Sequence, residues 1–570
     1  MVILGITHPI SQDNAACLLI DGKLIAMAEE ERFVRIKFAP RMFPQQAITF
    51  CLNYAGLTLK DIDYVAVGFD RFFKNIIPNL TGQPFVYGAL TAGFFTMHLT
   101  RHMFKIPRHI YQKTPQFINH HISHSNSAFY CSDFDKANIL SLDGSGGKNA
   151  GFLGYAEGTN VESYHEISNS NSLGHMFSRI TRLLGFRPHA DEYKVMGLAS
   201  FGTPDPKGLP FLEWDKPLPS INRKKYRQYR KWISQVVDPN KPMEKTSQDI
   251  AATAQISLEK IVLRMLEWLV QKRKSRNLCV SGGVALNCAM NGKLLQSGLI
   301  DHIYIQPSSW DSGTALGAAI QVYLDKKRKR PDVGFTHPYW GPEYSNGEIE
   351  TAIENCKVKK YRYSRNICAE TAKMLSTNQI VGWFQGRLEV GPRALGHRSI
   401  LGNPKNPDMK DLINLKVKGR EPWRPFSPSL LEEDTPAYFK NSYHSPYMIL
   451  TFKVKSEKLH EIISATHVDG TARPHTVSRT VNPKFWELID EFRKLTGVPV
   501  LLNTSFNLSD EPIVCSPEDA IHTFYRCGMD CLVMGNYIIE KTEHDYKGIP
   551  ILKTHSSAAI KADKQRFGLT

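Results

Sequence analysis

The chain has 570 residues, 42% of them hydrophobic and 22% charged, with 39 glycines and 33 prolines. That balance excludes a disordered tail-like chain and a collagen-like one, and the length allows several large cores. Seventy-one basic residues against 55 acidic ones leave a charge of +16, which favours anionic partners without choosing among nucleic acid, nucleotides and phosphates.

The opening MVILGITHPI has no basic stretch of the kind that begins a secretory signal. It reads instead as the strand VILGI, a polar loop THPISQD, a strand NAACLLI, the tight turn Asp21-Gly22 and a third strand running into AEEERFVRIK. The longest apolar run, Phe85 to Leu99, is too short to span a bilayer and is expected to be a buried helix or a lip over a pocket. The ten cysteines are scattered without a C-x-x-C pair, Cys527 and Cys531 being the nearest, which argues against zinc fingers and a disulfide scaffold. A soluble, cytoplasmic, reducing setting is expected, with no membrane partner.

Asn119-His-His-Ile-Ser-His124 places His120 and His124 four residues apart, on one face if the segment is helical. Such a pair is either a structural couple or two ligands of a transition metal that needs carboxylates to complete its shell. Asp143 and Asp311 each follow a predicted strand and complete a plausible two-His, two-Asp set; His121 points elsewhere. Two nitrogens and two carboxylates without a thiolate suit Fe(II), Mn(II) or Zn(II).

Residues 138–162 repeat the order of the first thirty: strand NILSL, loop DGSGGKN, strand AGFLGYAEG, with Glu157-Gly158 in the place of Asp21-Gly22. Two such units about 135 residues apart imply a duplicated α/β domain with two lobes facing one cleft. The loop with Gly144, Ser145 and Gly146 is no Walker loop, and it fits either a phosphate cradle or a plain hairpin. The run RKKYRQYRKW (Arg223 to Trp232) is either a nucleic-acid strip or a solvated helix face. Asp249 to Arg273 has the spacing of an amphipathic helix. Then come the strand NLCVS, the loop and turn with Gly282, Gly283 and Asn287 (a second candidate nucleotide loop), the strand IDHIYIQP, and the helix TALGAAIQVYLDKK ending in KKRKR. The polar loops all sit at strand C-terminal ends, where α/β sheets bind ligands.

Thr336 to Gly347, rich in Pro and Gly, reads as a linker, so the domains are placed at 1–345 and 346–570. The second is dense in arginine. GRLEVGPRALGHRSILGNP carries Arg393 and Arg398, the next stretch Lys416, Lys418, Arg420 and Arg424, and ARPHTVSR and LLNTSFNLSDEPI add Asn503, Ser505 and Asn507. Guanidinium forks, lysines and small polar groups among Pro, Gly and Trp suit a polyphosphate.

From AEEERFVRIK, HHISH, LDGSGG, DEYKVMGLASFG, SGGVALN, WDSGTALGAA, EVGPRALGHRSILGNP, WRPFSPS and NTSFN, taken in order, the chain resembles the NodU/CmcH family of O-carbamoyltransferases nearly end to end. The resemblance implies an α/β fold: a duplicated actin/Hsp70/sugar-kinase-like (ASKHA) domain followed by an α+β YrdC-like domain. It implies that the YrdC-like domain makes carbamoyl adenylate from carbamoyl phosphate and ATP with Mg. The first domain would then transfer the carbamoyl group to a hydroxyl of a small-molecule (sugar or natural-product) acceptor at a metal, Fe(II) by preference. It assigns His120, His124, Asp143 and Asp311 to the metal, Lys418-x-Arg420 and Ser505-x-Asn507 to the adenylating site, Arg393, Arg398 and Arg424 to phosphates, and Lys37 to the transfer site. The family's first loop carries His-Asp where this chain has Gln12-Asp13, so the base for the acceptor hydroxyl falls to Asp13 or His8.

Two other readings compete. The same domain types occur in threonylcarbamoyl-tRNA synthesis, which the basic surplus favours and the GPRALGHRS stretch disfavours; salt-sensitive tRNA binding separates the two. A non-catalytic nucleotide sensor would not need the full metal and Lys/Arg/Ser-x-Asn sets. Nucleic acid is therefore the less expected partner, and a homo-oligomer is left open.

Overall fold

The computed structural model describes residues 1–8, 11–70, 115–213 and 217–542. The apolar run Phe85–Leu99 lies outside the described residues. The chain forms two compact units, one of Met1–Gly341 with Val390–Pro392 and Ile449–Thr451, the other of the remaining residues from Pro342 onward.

The first unit holds two five-stranded sheets of one topology. In the first, β1 (Val2–Ile6) pairs antiparallel with β2 (Ala15–Ile20), β2 with β3 (Lys23–Glu29), and β1 parallel with β4 (Tyr64–Val67), which is followed by β5 (Gln116–Phe117), giving the order β3-β2-β1-β4-β5. The β2–β3 turn has positive φ at both Asp21 and Gly22, the geometry that matches strand twist in a two-residue hairpin. The second sheet comprises β6 (Lys136–Gly146), β7 (Asn149–Glu157), β8 (Asn160–Ser168), a small pair β9 (Leu212–Glu213) and β10 (Ser220–Ile221) standing apart, then β11 (Asn277–Ser281) and β12 (His302–Ile305). Its order, β12-β11-β6-β7-β8, is the first sheet's order again, with the same antiparallel and parallel partners. The repeat read from two hairpins thus extends to whole sheets, and the first unit has the actin/Hsp70/sugar-kinase-like architecture.

Helices cover these sheets. Lys245–Arg273 buries Ile250, Leu258, Ile261, Met265 and Leu269, a stripe at three- and four-residue spacing, each side chain contributing about 1.5–3 kcal/mol on burial. The helix Ser312–Lys327 packs on β1, β2 and β4 and against the helix His120–Phe129. That last contact is very close, since a methyl group built on Gly317 would lie 1.7 Å from the Ser123 carbonyl oxygen. The basic run forms the helix Arg223–Val236, which buries only Ile233. Tyr226 and Tyr229 turn inward onto Phe211, with ring centroids 5.2 and 5.4 Å away, and Trp232 is the helix's one strongly exposed aromatic ring, so the tyrosines do not form a stacking strip. Among the described residues no helix is long and apolar enough to cross a membrane.

The second unit is built on one mixed sheet. Its strands are β13 (Tyr361–Tyr363), β14 (Val381–Phe384), β15 (Arg398–Gly402), β16 (Ser427–Leu431), β19 (His475–Val477), β20 (Val500–Ser505), β21 (Cys531–Met534) and β22 (Tyr537–Glu540), with a separate pair β17 (Phe452–Lys453) and β18 (Thr471–Ala472). The order is β13-β22-β21-β14-β15-β20-β16-β19. Because side chains alternate along a strand, register divides the middle of the sheet into two faces. Ile400 and Leu502 join Phe384, Phe506, Ile521 and Phe524 in an apolar core. Ser399 opposite Ser505, Ser427 opposite Asn503, and Ser429 opposite His475 share the other face. All six of the latter are polar, and five are buried.

Gly317→Ala should force the two helices of the first unit apart, lowering its stability by about 3 kcal/mol. Thermal melting checks this; a variant melting with the wild type would contradict the close approach.

Candidate functional site

Asn119 starts the helix His120–Phe129, its side chain accepting hydrogen bonds from the N–H groups of His121 and Ile122. One turn of that helix brings His120 Nε2 and His124 Nε2 to 3.1 Å. Asp143, at the end of β6, lies 3.2 Å from the first nitrogen and 3.7 Å from the second; Asp311, just before the helix Ser312–Lys327, lies 3.5 and 3.8 Å from them. All four ligand atoms fall within 4.8 Å of one another. His120 Nδ1 is 3.1 Å from the Gly68 carbonyl, which can only accept, so the Nε2 of the neutral ring carries a lone pair. Four electron-pair donors thus converge on one point, an arrangement that positive charge stabilises. A divalent cation fits this donor set.

The local charges agree. Burial alone would lower His120, but the Asp143 hydrogen bond and the Asp311 and Asp143 charges push it up to about 9. Burial would raise Asp143, yet hydrogen bonds and charges from both histidines hold it well below the usual carboxylate range. Burial and the neighbouring Asp143 raise Asp311, against the two histidines. His121 takes no part: its Nε2 lies 2.8 Å from the Asn149 carbonyl, and burial, then His120, push it down to about 3.

Both glycine loops serve this cluster. A methyl on Gly146 would sit 2.2 Å from His120 Cδ2, and one on Gly282, where φ is +87°, would sit 2.3 Å from the Leu142 carbonyl oxygen. Gly283 N–H donates to Asp143 Oδ1 at 3.1 Å, and Gln12 N–H to Asp311 Oδ2 at 3.3 Å, leaving each aspartate's other oxygen toward the histidines. The Ser172 hydroxyl binds the Asp143 and Gly144 carbonyls, fixing the loop beside Gly144, while Ser145 is exposed. Asn287 caps the helix Cys288–Gln296 and exchanges two hydrogen bonds with Gln255. Its amide is thereby occupied in holding the loop.

Asp13 is buried with φ +57°, and its carboxyl is held well above its ordinary range by burial and then by Glu31, Asp311 and Glu29. Its N–H donates to the Phe38 carbonyl, beside Lys37, whose ammonium lies 5.5 Å over the Phe38 ring. His8 is buried against Phe69, and burial followed by His120 pushes it down to about 4. The glutamates of AEEER, which sequence reasoning left without roles, are structural here. Glu30 accepts from Gln46 and Ala47 N–H at the start of the helix Gln45–Tyr54, and Glu31 from Phe38 N–H. Glu29 accepts Gly391 N–H at 2.6 Å while Arg32 donates to the Gly391 carbonyl at 2.7 Å, clamping the segment Val390–Pro392 of the same unit.

In the second unit, buried Lys418 Nζ donates to the Ser505 carbonyl (2.5 Å), the Asn507 carbonyl (2.9 Å) and Asn507 Oδ1 (2.8 Å); Ser505 Oγ donates to that same amide oxygen. Residues nearly ninety positions apart in the chain thus meet. Arg420 donates to Asn414 Oδ1 and stacks on Phe426, and Arg424 reaches Glu421 at 3.4 Å. Arg393 is half-buried in the bend between β14 and β15. Arg398 is placed otherwise than a phosphate ligand needs. It is fully buried, its guanidinium donates to the carbonyls of Gln385, Gly386, His397 and Pro342, and it lies 3.6 Å from the Phe384 ring centroid. It braces a loop that Glu389 also gathers, accepting N–H bonds from Leu395, His397 and Arg398. Asn503 donates to the Ala394 carbonyl and to Ser429 Oγ.

This chain matches two family models, Carbamoyltransferase N-terminus over residues 2–320 and Carbamoyltransferase C-terminus over residues 372–541. It belongs to the carbamoyltransferase family, of the NodU/CmcH type, and is a carbamoyltransferase. It is 38% identical to nodulation protein NolNO of Sinorhizobium fredii, across 94% of this chain and 80% of that one. It is 36% identical to the uncharacterized protein sll1178 of Synechocystis, across 95% and 97%. Among solved structures it is similar to full-length HypF in the phosphate- and nucleotide-bound form, with 12% identity, 57% and 56% coverage and a TM-score of 0.38.

His120 stands above its ordinary value, so in chelator-treated protein its contribution to stability is full below about 6.5 and is lost as pH rises through about 9. A metal must displace that proton, so metal affinity should rise over the same interval. Melting temperature of chelated protein should therefore fall between pH 6.5 and 9, while that of metal-loaded protein should not follow it. A flat chelated profile would contradict the cluster.

Proposed function

We propose that the chain is an ATP-dependent O-carbamoyltransferase working through two half-reactions, one at each site. The observation that carries this reading is the pair of constellations in one carbamoyltransferase chain: four converging metal donors in the first unit and the Lys418–Ser505–Asn507 group in the second. The second unit is read as YrdC-like. There the carbamoyl–phosphate bond of carbamoyl phosphate is cleaved by water to carbamate and phosphate. A carbamate oxygen then attacks the α-phosphorus of ATP, the α–β bridging bond breaks, and pyrophosphate leaves with its magnesium.

Lys418 supplies a fixed positive charge at the end of β20, while Arg420, Arg424 and Arg393 supply guanidinium groups for phosphate oxygens. Ser505 and Asn507 hold Lys418 in place and shape the floor. Arg398 is left out of this set, being bound to backbone carbonyls.

In the first unit, His120, His124, Asp143 and Asp311 would hold a divalent cation, Fe(II) by preference and Mn(II) or Zn(II) by donor type. When bound, it supplies a Lewis acid that polarises the carbamoyl carbonyl. The loop at Gly144–Gly146 and the Gly282 N–H receive the adenylate's phosphate, while Gly283, its own N–H on Asp143, lines the turn beside it. Asp13, whose carboxyl burial holds well above the ordinary carboxylate range and so makes a stronger base when ionised, takes the proton of the acceptor hydroxyl as the C–O bond forms and AMP departs; Lys37 offsets the phosphate charge. The acceptor is a small molecule bearing a hydroxyl, of the sugar or natural-product class. The setting is the cytoplasm, where the ten free cysteines stay reduced.

Lys418→Ala should lower carbamoyl-phosphate-dependent pyrophosphate release by about 10²-fold or more while metal content is unchanged. His124→Ala should lose metal by elemental analysis and lose carbamoyl transfer, yet release pyrophosphate at the normal rate. Normal adenylation by the first variant, or full metal in the second, would overturn the assignment.

A further inference from the structure

The middle of the second unit's sheet carries a buried hydrogen-bond chain on its polar face. Asn503 is 1% exposed, and its amide nitrogen donates twice, to the Ala394 carbonyl at 3.2 Å and to Ser429 Oγ at 2.9 Å. A carbonyl can only accept, so the amide's orientation is settled. Ser429 Oγ, having accepted that bond, also lies 3.0 Å from His475 Nδ1. Burial, then His397 and His444, push His475 down to about 3, so its ring is neutral at physiological pH. Asn503, Ser429 and His475 thus form one buried row in which the Asn503 amide nitrogen is a donor.

This orientation of the amide leaves Asn503 Oδ1 as a buried acceptor without a donor partner. An unsatisfied buried carbonyl is costly, so such a group in a fixed orientation calls for a donor from elsewhere. Asn503 shares its face with Ser505, two residues along β20, and Ser505 leads through Asn507 to Lys418. Ala394, which holds the Asn503 amide, follows Arg393 directly. The acceptor thus stands beside the groups read above as binding the carbamoyl and phosphate moieties.

We infer that Asn503 Oδ1 accepts a hydrogen bond from the carbamoyl NH2 group and is the residue that selects carbamoyl phosphate over acyl phosphates. The inference rests on the adenylating role proposed for this unit. Acetyl phosphate is nearly isosteric with carbamoyl phosphate but carries a methyl where the latter carries NH2. A fixed, buried acceptor facing that methyl would be left unpaired, which is how sites built around a hydrogen bond reject an analogue lacking the donor.

The test measures pyrophosphate release from ATP by the full-length wild type with carbamoyl phosphate and with acetyl phosphate. The wild type should favour carbamoyl phosphate by about 10³-fold or more in kcat/KM. Asn503→Leu, similar in size but without an acceptor, should shrink that preference to within about tenfold. Ser429→Ala, which removes one of the two acceptors that hold the amide, should give an intermediate ratio and serves if the leucine variant does not fold. A wild type using acetyl phosphate within tenfold of carbamoyl phosphate overturns the inference, as does a folded Asn503→Leu that keeps the full preference. No pyrophosphate release by the wild type with either compound overturns the adenylating role itself, and this inference with it.

Discussion

Four electron-pair donors brought within 4.8 Å inside a folded protein repel one another unless positive charge sits among them. Much of the first unit is arranged to hold that unfavourable grouping together. Gly317 lets the helix before which Asp311 stands lie against the histidine helix, Gly146 makes room for the His120 ring, and Gly283 and Gln12 each occupy one oxygen of an aspartate. The Gly68 carbonyl orients His120 so that its Nε2 faces the aspartates and His124. Each contact is weak alone; together they fix the donors before any cation arrives, which is what pre-organisation requires.

Several conspicuous charged residues turn out to serve architecture. Glu30 satisfies orphan N–H groups at a helix start, Glu389 gathers three backbone N–H groups of its own turn, and Arg398 is surrounded by carbonyls. Glu29 and Arg32 together grip both backbone groups of Gly391, whose φ of +91° and close approach to the Pro307 carbonyl leave no space for a side chain. Charge-assisted bonds to buried backbone are strong and directional, so a motif rich in Glu and Arg can be required for shape as firmly as for chemistry.

The parts of this structure legible in the sequence are those set by short-range rules. Strand, Asp-Gly turn, strand and its later echo Glu157-Gly158 foretold two similar lobes, and the four-residue spacing of His120 and His124 foretold a shared helix face. The strand ends foretold where Asp143 and Asp311 would meet them. What stayed hidden depends on long-range register. Nothing local distinguishes Arg398, turned into carbonyls, from Arg393 five residues earlier. Tyr226 and Tyr229 are half-buried because Phe211, on the preceding segment, receives them. The buried polar face with Asn503, Ser429 and His475 appears only once β16, β19 and β20 are paired; the serine and asparagine spacing was its one trace in the sequence.

The most direct test of the account is anomalous diffraction from crystals of the full chain loaded anaerobically with Fe(II). The account predicts one anomalous peak bound by His120, His124, Asp143 and Asp311, and no peak there in Asp143→Asn crystals grown the same way. Iron bound elsewhere, or a peak that survives the Asp143 substitution unchanged, would contradict it.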